Sequence, residues 1–141
     1  MRLFLDANIA FSAALTDGAL RRLLYDLKHG SHVLMMDEYV WEEARRNLTV
    51  HRSTALQDLH NLAVEIEIAG TETGRLSIDV PPGIPEKDVP VVKSAAAQRC
   101  DILLTGDRTH FESFFGKQIA GVTILSPRQT AERLIAVDIN R

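Results

Sequence analysis

The chain is predicted to be an α/β protein with a mostly parallel sheet and helices on both faces. Three observations predict this. Short apolar runs alternate along the chain with longer stretches whose apolar residues recur at helical spacing. The run Asp101–Thr105 is apolar inside its polar ends without alternation, as a strand covered on both faces requires. The composition, 45% hydrophobic and 25% charged over 141 residues, is that of one ordinary globular domain.

The elements follow in order. Arg2–Leu5 is short and apolar and is bounded by Asp6, which predicts a buried strand. A short helix is expected over Ile9–Leu15. A second spans Gly18–Lys28, with Leu20, Leu23, Leu24 and Leu27 on one face and Gly30 as its stop. Val33–Met36 is the next strand, Asp37 opens a helix to about Leu48, and another helix runs from Ser53 to Ala63. Val64–Ile68 alternates apolar and acidic residues, predicting a strand with one solvated face. Gly70–Asp88, with its prolines, is expected to be mostly loop. Val89–Cys100 is predicted as a helix whose alanines allow close packing on a sheet, Asp101–Thr105 as a strand, and Val122–Leu125 as the last strand. Ser126-Pro127-Arg128-Gln129 predicts a helix start with Ser126 as N-cap, Pro127 in the first turn and Gln129 closing a capping box.

No repeat, low-complexity tract or linker divides the chain, so residues 1–141 are expected to form a single domain. One cysteine, Cys100, excludes an internal disulfide framework and a cysteine-based zinc site. No apolar run is long enough to cross a bilayer, and the first residues lack a signal-peptide layout, so the expected location is the cytoplasm. The net charge of −3 argues against a uniformly basic nucleic-acid binder. It remains compatible with an enzyme that gathers carboxylates around metal ions, whose charge is not in that count.

Four acids carry the functional reading. In open parallel sheets, ligands bind beyond the carboxyl ends of the strands. Asp6 ends the first strand, and Asp107 follows Asp101–Thr105 after one glycine. Asp88 stands at the start of a helix. On the helix opened by Asp37, Val40, Ala44 and Leu48 form the apolar stripe; Glu43 borders it, while Glu42 points toward water and is expected to pair with Arg46 on the surface. Each acid has a local explanation as a turn former, a helix-dipole partner or a solvated charge. Together they point to a shared pocket. Two carboxylates about 5 Å apart repel by roughly 3 kcal/mol at an effective dielectric near 20, so such a cluster takes up protons or binds a hard cation. An all-oxygen ligand set favours Mg²⁺ or Mn²⁺, whose expected chemistry here is hydrolysis of phosphodiesters.

The acids and their neighbours resemble the PIN-domain nucleases. Leu5-Asp6-Ala7-Asn8-Ile9 is similar to the opening signature of that family, and Trp41–Leu48 resembles its second motif with Glu43 as the acid. Pro85-Glu86-Lys87-Asp88 before an alanine-rich helix, and Asp101–Asp107, resemble the third and fourth. The likeness extends to Val122–Pro127 and so covers nearly the whole chain. It implies a three-layer α/β/α sandwich and a Mg²⁺- or Mn²⁺-dependent ribonuclease. Asp6, Glu43, Asp88 and Asp107 would be its catalytic and metal-holding residues, with Asn8 and Thr105 in support. It also implies an RNA substrate and, for compact members, the toxin role of a bacterial type II toxin–antitoxin pair (VapC-like), with a separate antitoxin and a homodimer. One departure follows Asp107: the chain reads Arg108-Thr109-His110-Phe111 where many such toxins carry another acid.

Arg46, Lys87 and Arg108 are candidate phosphate contacts by their nearness to the acidic motifs. His110 is expected to pack beside Phe111 in a turn, with contact to a phosphate or bound water as the alternative. A receiver-type domain would need an acidic pair after the first strand, and a haloacid-dehalogenase-type phosphatase a second Asp where Asn8 stands. The main alternative is a PIN-like domain that processes or binds RNA or protein without a toxin role.

Overall fold

The structure, a computed structural model, describes residues 1–70 and 78–135. Its strands are β1 (Arg2–Leu5), β2 (Val33–Asp37), β3 (Glu67–Ala69), β4 (Ile102–Leu104), β5 (Gln118–Ile119) and β6 (Val122–Leu125). They form one sheet in the order β3-β2-β1-β4-β6-β5, parallel throughout except for the β5–β6 pair. The helices are α1 (Ala7–Leu15), α2 (Ala19–His29), α3 (Glu38–His51), α4 (Leu56–Ala63), α5 (Val89–Ala97), α6 (Arg108–Phe111) and α7 (Pro127–Thr130).

Right-handed crossovers place connections made toward the β3 edge and those made toward the β6 edge on opposite faces of the sheet. Accordingly α1 packs on α3 and α4 as one layer, and α5 packs on β4 and β6 as part of the other. This is the three-layer α/β/α sandwich the sequence predicts. The central strands supply the middle of the core: Leu3, Phe4, Leu5, Leu103 and Leu104 have no exposed surface. Val40, Ala44 and Leu48, the predicted stripe of α3, are equally buried.

Several boundaries differ from expectation for local reasons. α1 begins at Ala7, two residues early, because Asp6 caps it. Asp37 closes β2 and caps α3 by accepting from the Val40 amide (2.9 Å), and α3 runs on to His51. The strand expected over Val64–Ile68 starts only at Glu67, since the amides of Glu65 and Ile66 still donate to the carbonyls of Leu62 and Ala63. Val64 is therefore 82% exposed, while Ile66 turns inward.

α5 stops at Ala97 rather than Cys100. Arg99 adopts a left-handed conformation (φ 57°), and the amides of Arg99 and Cys100 donate back to the carbonyls of Ala96 and Ala95. This is a Schellman ending without the usual glycine. The sequence reading missed β5, which pairs with β6 across a tight turn at Ala120 and Gly121, both with positive φ. It also missed the short α6. The capping box at Ser126 and Gln129 is present, but the helix gives way after Thr130 to a π-helical turn over Ala131–Ile135. Part of the expected 70–88 loop (71–77) and the end of the last helix (136–141) lie outside the described residues. No helix among the described residues is long and apolar enough to cross a membrane.

Candidate functional site

The strand order reverses at β1, which leads on to β2 on one side and has β4 on the other, and a crevice opens there at the carboxyl ends. Register brings two of the acids to it. Leu5 pairs with Leu104, and the Asp6 amide continues the ladder to the Leu104 carbonyl at 3.0 Å. Asp6 therefore leaves β1 beside Thr105, and Asp107 follows two residues later. Asp88 arrives at the start of α5 after a 3₁₀ turn over Glu86–Asp88. Glu43 projects from α3, half-buried at the edge of its apolar stripe.

These four carboxylates, drawn from four separate stretches of chain, line one cleft of about 180 Å³. Ala7, Asn8, Phe11, Asn47 and Lys87 complete its wall. Glu42 takes no part: it is exposed and pairs with Arg45 at 2.8 Å, not with Arg46 as expected. Of the candidate phosphate contacts, Lys87 lines the cleft; Arg46 and Arg108 are exposed residues outside its lining.

Asp6 is the most constrained of the four. One carboxylate oxygen accepts from the Ala7 amide (2.8 Å), so the anion caps α1 at the favourable end of its dipole. The other accepts from the Thr105 hydroxyl (2.8 Å) and from Asn8 Nδ2 (3.2 Å). Asn8 Oδ1 in turn accepts from the Gly106 amide at 2.9 Å. Thr105 is fully buried and its hydroxyl also accepts from the Asp107 amide (3.2 Å). One hydroxyl thus ties Asp6 to the loop that carries Asp107. At Gly106 a β-carbon would stand 3.3 Å from Asn8 Oδ1, so a side chain there would press on this network.

The donors do not offset what burial costs. Desolvation pushes the Asp6 pKa up to about 6, with the charges of Asp88 and Glu43 adding to the rise and the Thr105 and Ala7 hydrogen bonds opposing it. Burial pushes Asp88 up as well, against the pull of His110 and Lys87. Asp88 Oδ2 is buried without a hydrogen bond. A crowded set of carboxylates, with the pKa values of Asp6 and Asp88 raised and a buried oxygen lacking an aligned hydrogen bond, is short of positive charge. The donor set, four carboxylates and two side-chain amides, fits a hard divalent cation.

The chain matches no family model and no curated protein by sequence. Solved structures do match it. It aligns with a chain of the crystal structure of VapBC2 from Rickettsia felis bound to a DNA fragment from their promoter, with a TM-score of 0.69 at 14% identity, over 89% of this chain and 98% of that one. It also aligns with a chain of VapBC-1 from nontypeable Haemophilus influenzae, with a TM-score of 0.63 at 10% identity, over 91% and 99% of the two chains.

This is a VapC-like PIN fold.

Within the PIN fold the four sequence-identified acids stand together, and three of them are N-cap residues: Asp6 of α1, Asp88 of α5 and Asp107 of α6. The helix-start reading of Asp88 therefore holds as well, while Asp6 and Asp107, which read locally as turn residues, are helix caps, because helix starts are where the sheet's carboxyl edge hands the chain on. The expected packing of His110 beside Phe111 is not what the structure has. Phe111 is fully buried, whereas His110 is turned to the acids, its Nδ1 lying 2.7 Å from an oxygen of Asp88 and from one of Asp107. The sequence carried a signal for this, since a residue at the third position of a capped helix lies over its cap. Asn47 was also missed, although it follows Glu43 by one helical turn.

Proposed function

We propose that this chain, as a single PIN-like domain over residues 1–141, is a divalent-cation-dependent ribonuclease. The observation that carries the reading is the convergence of Asp6, Glu43, Asp88 and Asp107 on one cleft. In this reading those four residues are the catalytic carboxylates and hold Mg²⁺ or Mn²⁺. When bound, such an ion supplies the charge that activates a water and neutralises a phosphodiester under attack. Thr105 and Asn8 keep Asp6 in one orientation, so its anion is aimed before substrate arrives. Lys87, the cationic residue among the cleft-lining residues, draws in the phosphate backbone, with Arg46 and Arg108 as outer contacts. Phe11 gives the wall an apolar surface against which a base or sugar can rest.

The biological setting proposed is the toxin half of a bacterial type II toxin–antitoxin pair. It is cytoplasmic, homodimeric and silenced by a separate antitoxin. Support comes from the two solved structures, both VapBC assemblies, in each of which a chain is matched almost end to end.

The test is incubation of purified protein with RNA and Mg²⁺ or Mn²⁺ beside Asp6→Asn. Cleavage is expected only with wild-type protein and cation. Cleavage that survives both EDTA and the substitution would defeat the assignment. Expression is expected to arrest growth until a neighbouring small gene is co-expressed. Harmless overproduction of active enzyme would instead assign the chain to RNA processing.

A further inference from the structure

We propose that His110 supplies a nitrogen ligand to a cation shared with Asp88 and Asp107, and that this donor makes the site prefer Mn²⁺ to Mg²⁺. The proposal rests on the cation-dependent reading above and specifies which ion it uses.

The geometry begins with the short α6. Asp107 caps it by accepting from the His110 amide at 3.1 Å, which sets the imidazole above the cap rather than out in water. His110 Nδ1 then lies 2.7 Å from Asp88 Oδ2 and 2.7 Å from Asp107 Oδ2. The ligand atoms of the three residues lie within 4.8 Å of one another.

Neither short contact is an aligned hydrogen bond, and each is an ion pair only when the ring is protonated. Asp88 Oδ2 and His110 Nδ1 are both buried without a hydrogen-bond partner, in a site where Asp88 is only 8% exposed. A ring N–H has one direction, and here it serves neither oxygen. A bare ring nitrogen would set its lone pair against two carboxylates. A metal ion satisfies all three atoms at once. Around an octahedral ion with bonds near 2.1 Å, adjacent ligand atoms stand about 3 Å apart. Each of the two short contacts would have to open by about 0.3 Å to reach that spacing.

Donor chemistry decides which ion. Mg²⁺ binds oxygen and is exacting about geometry, whereas first-row transition ions also take imidazole. Carboxylates dominate the rest of the cleft, and Mn²⁺ is the transition ion that suits carboxylate and water best.

The experiment uses the full chain stripped of metal. Mn²⁺ is titrated in and followed by the loss of the free-ion electron paramagnetic resonance signal, with Mg²⁺ as competitor. The Mn²⁺-loaded protein, grown with ¹⁵N-histidine, is then examined by pulsed resonance for coupling to nitrogen. Expected are a histidine ¹⁵N coupling in wild-type protein, its loss in His110→Ala, and a roughly 10-fold or greater weakening of Mn²⁺ binding in the variant, with a smaller change for Mg²⁺. Bound Mn²⁺ without that coupling overturns the proposal but leaves the cation-dependent reading intact. So does unchanged Mn²⁺ affinity in His110→Ala. Absence of Mn²⁺ binding, together with RNA cleavage in EDTA, overturns both. Should His110→Ala fail to fold, the coupling in wild-type protein decides the matter alone.

Discussion

Asp6→Asn should remove a pH-dependent weakness that the cleft imposes on the metal-free fold. The Asp6 carboxyl has an ordinary pKa of 3.8, and burial lifts it to about 6 in the folded protein. The fold therefore holds this proton more tightly than the unfolded chain does. The resulting stabilisation is fully present below about pH 4 and is lost as pH rises through about 6. A difference of about 2 pKa units at 1.36 kcal/mol each amounts to about 3 kcal/mol. Asparagine at this position carries no such proton, while Asp88, Glu43, Asp107 and His110 remain in both chains. Urea unfolding of both proteins in EDTA at several pH values gives the comparison. From about pH 4 to about pH 7.5 the wild-type stability should fall by about 3 kcal/mol relative to the variant. A difference that stays flat, or that grows in favour of the wild type, would refute the reasoning. It would mean that Thr105, Asn8 and the α1 terminus solvate the anion as well as water does.

Three other predictions rest on separate parts of the structure. Thr105→Val takes a hydroxyl from Asp6 and an acceptor from the Asp107 amide; denaturant unfolding should show a loss of about 1–3 kcal/mol. Mn²⁺ at roughly 100 times its dissociation constant should stabilise the wild type by about 2.7 kcal/mol, raising its melting temperature, and Asp88→Asn should abolish most of that rise. Leu103→Ala, at a fully buried site in β4, should cost about 2–5 kcal/mol in urea unfolding at any pH, with or without cation.

Much of the fold is legible residue by residue. The apolar runs of β1, β4 and β6 and the stripe Val40, Ala44 and Leu48 appear where periodicity puts them. The misses have local causes. Arg99 ends α5 in a conformation usually given to glycine, and Ala120-Gly121 makes a hairpin turn without an asparagine or aspartate to announce it. The Val64–Ile68 alternation misled: Val64 and Ile68 are exposed and only Ile66 turns inward, because the amides of Glu65 and Ile66 remain committed to α4. At the site, Glu43 was separable from Glu42 because a helix presents adjacent residues about 100° apart and only one of them borders the buried stripe. His110 was not separable from an ordinary turn residue, because what it faces comes partly from Asp88, on a different element.

By itself the sequence determined most of the succession of strands and helices, that Asp6 and Asp107 would follow strands, and that Asp88 would stand where a helix begins. Those are properties of neighbouring residues, written in periodicity and capping. Only the tertiary structure decided that β1 and β4 lie side by side, that Thr105 reaches Asp6, and that Lys87 and Asn47 enter the cleft while Arg46 and Arg108 stay outside it. These outcomes depend on strand order and register, which bring together residues far apart in the chain, and no local pattern encodes which distant partner a buried strand will choose.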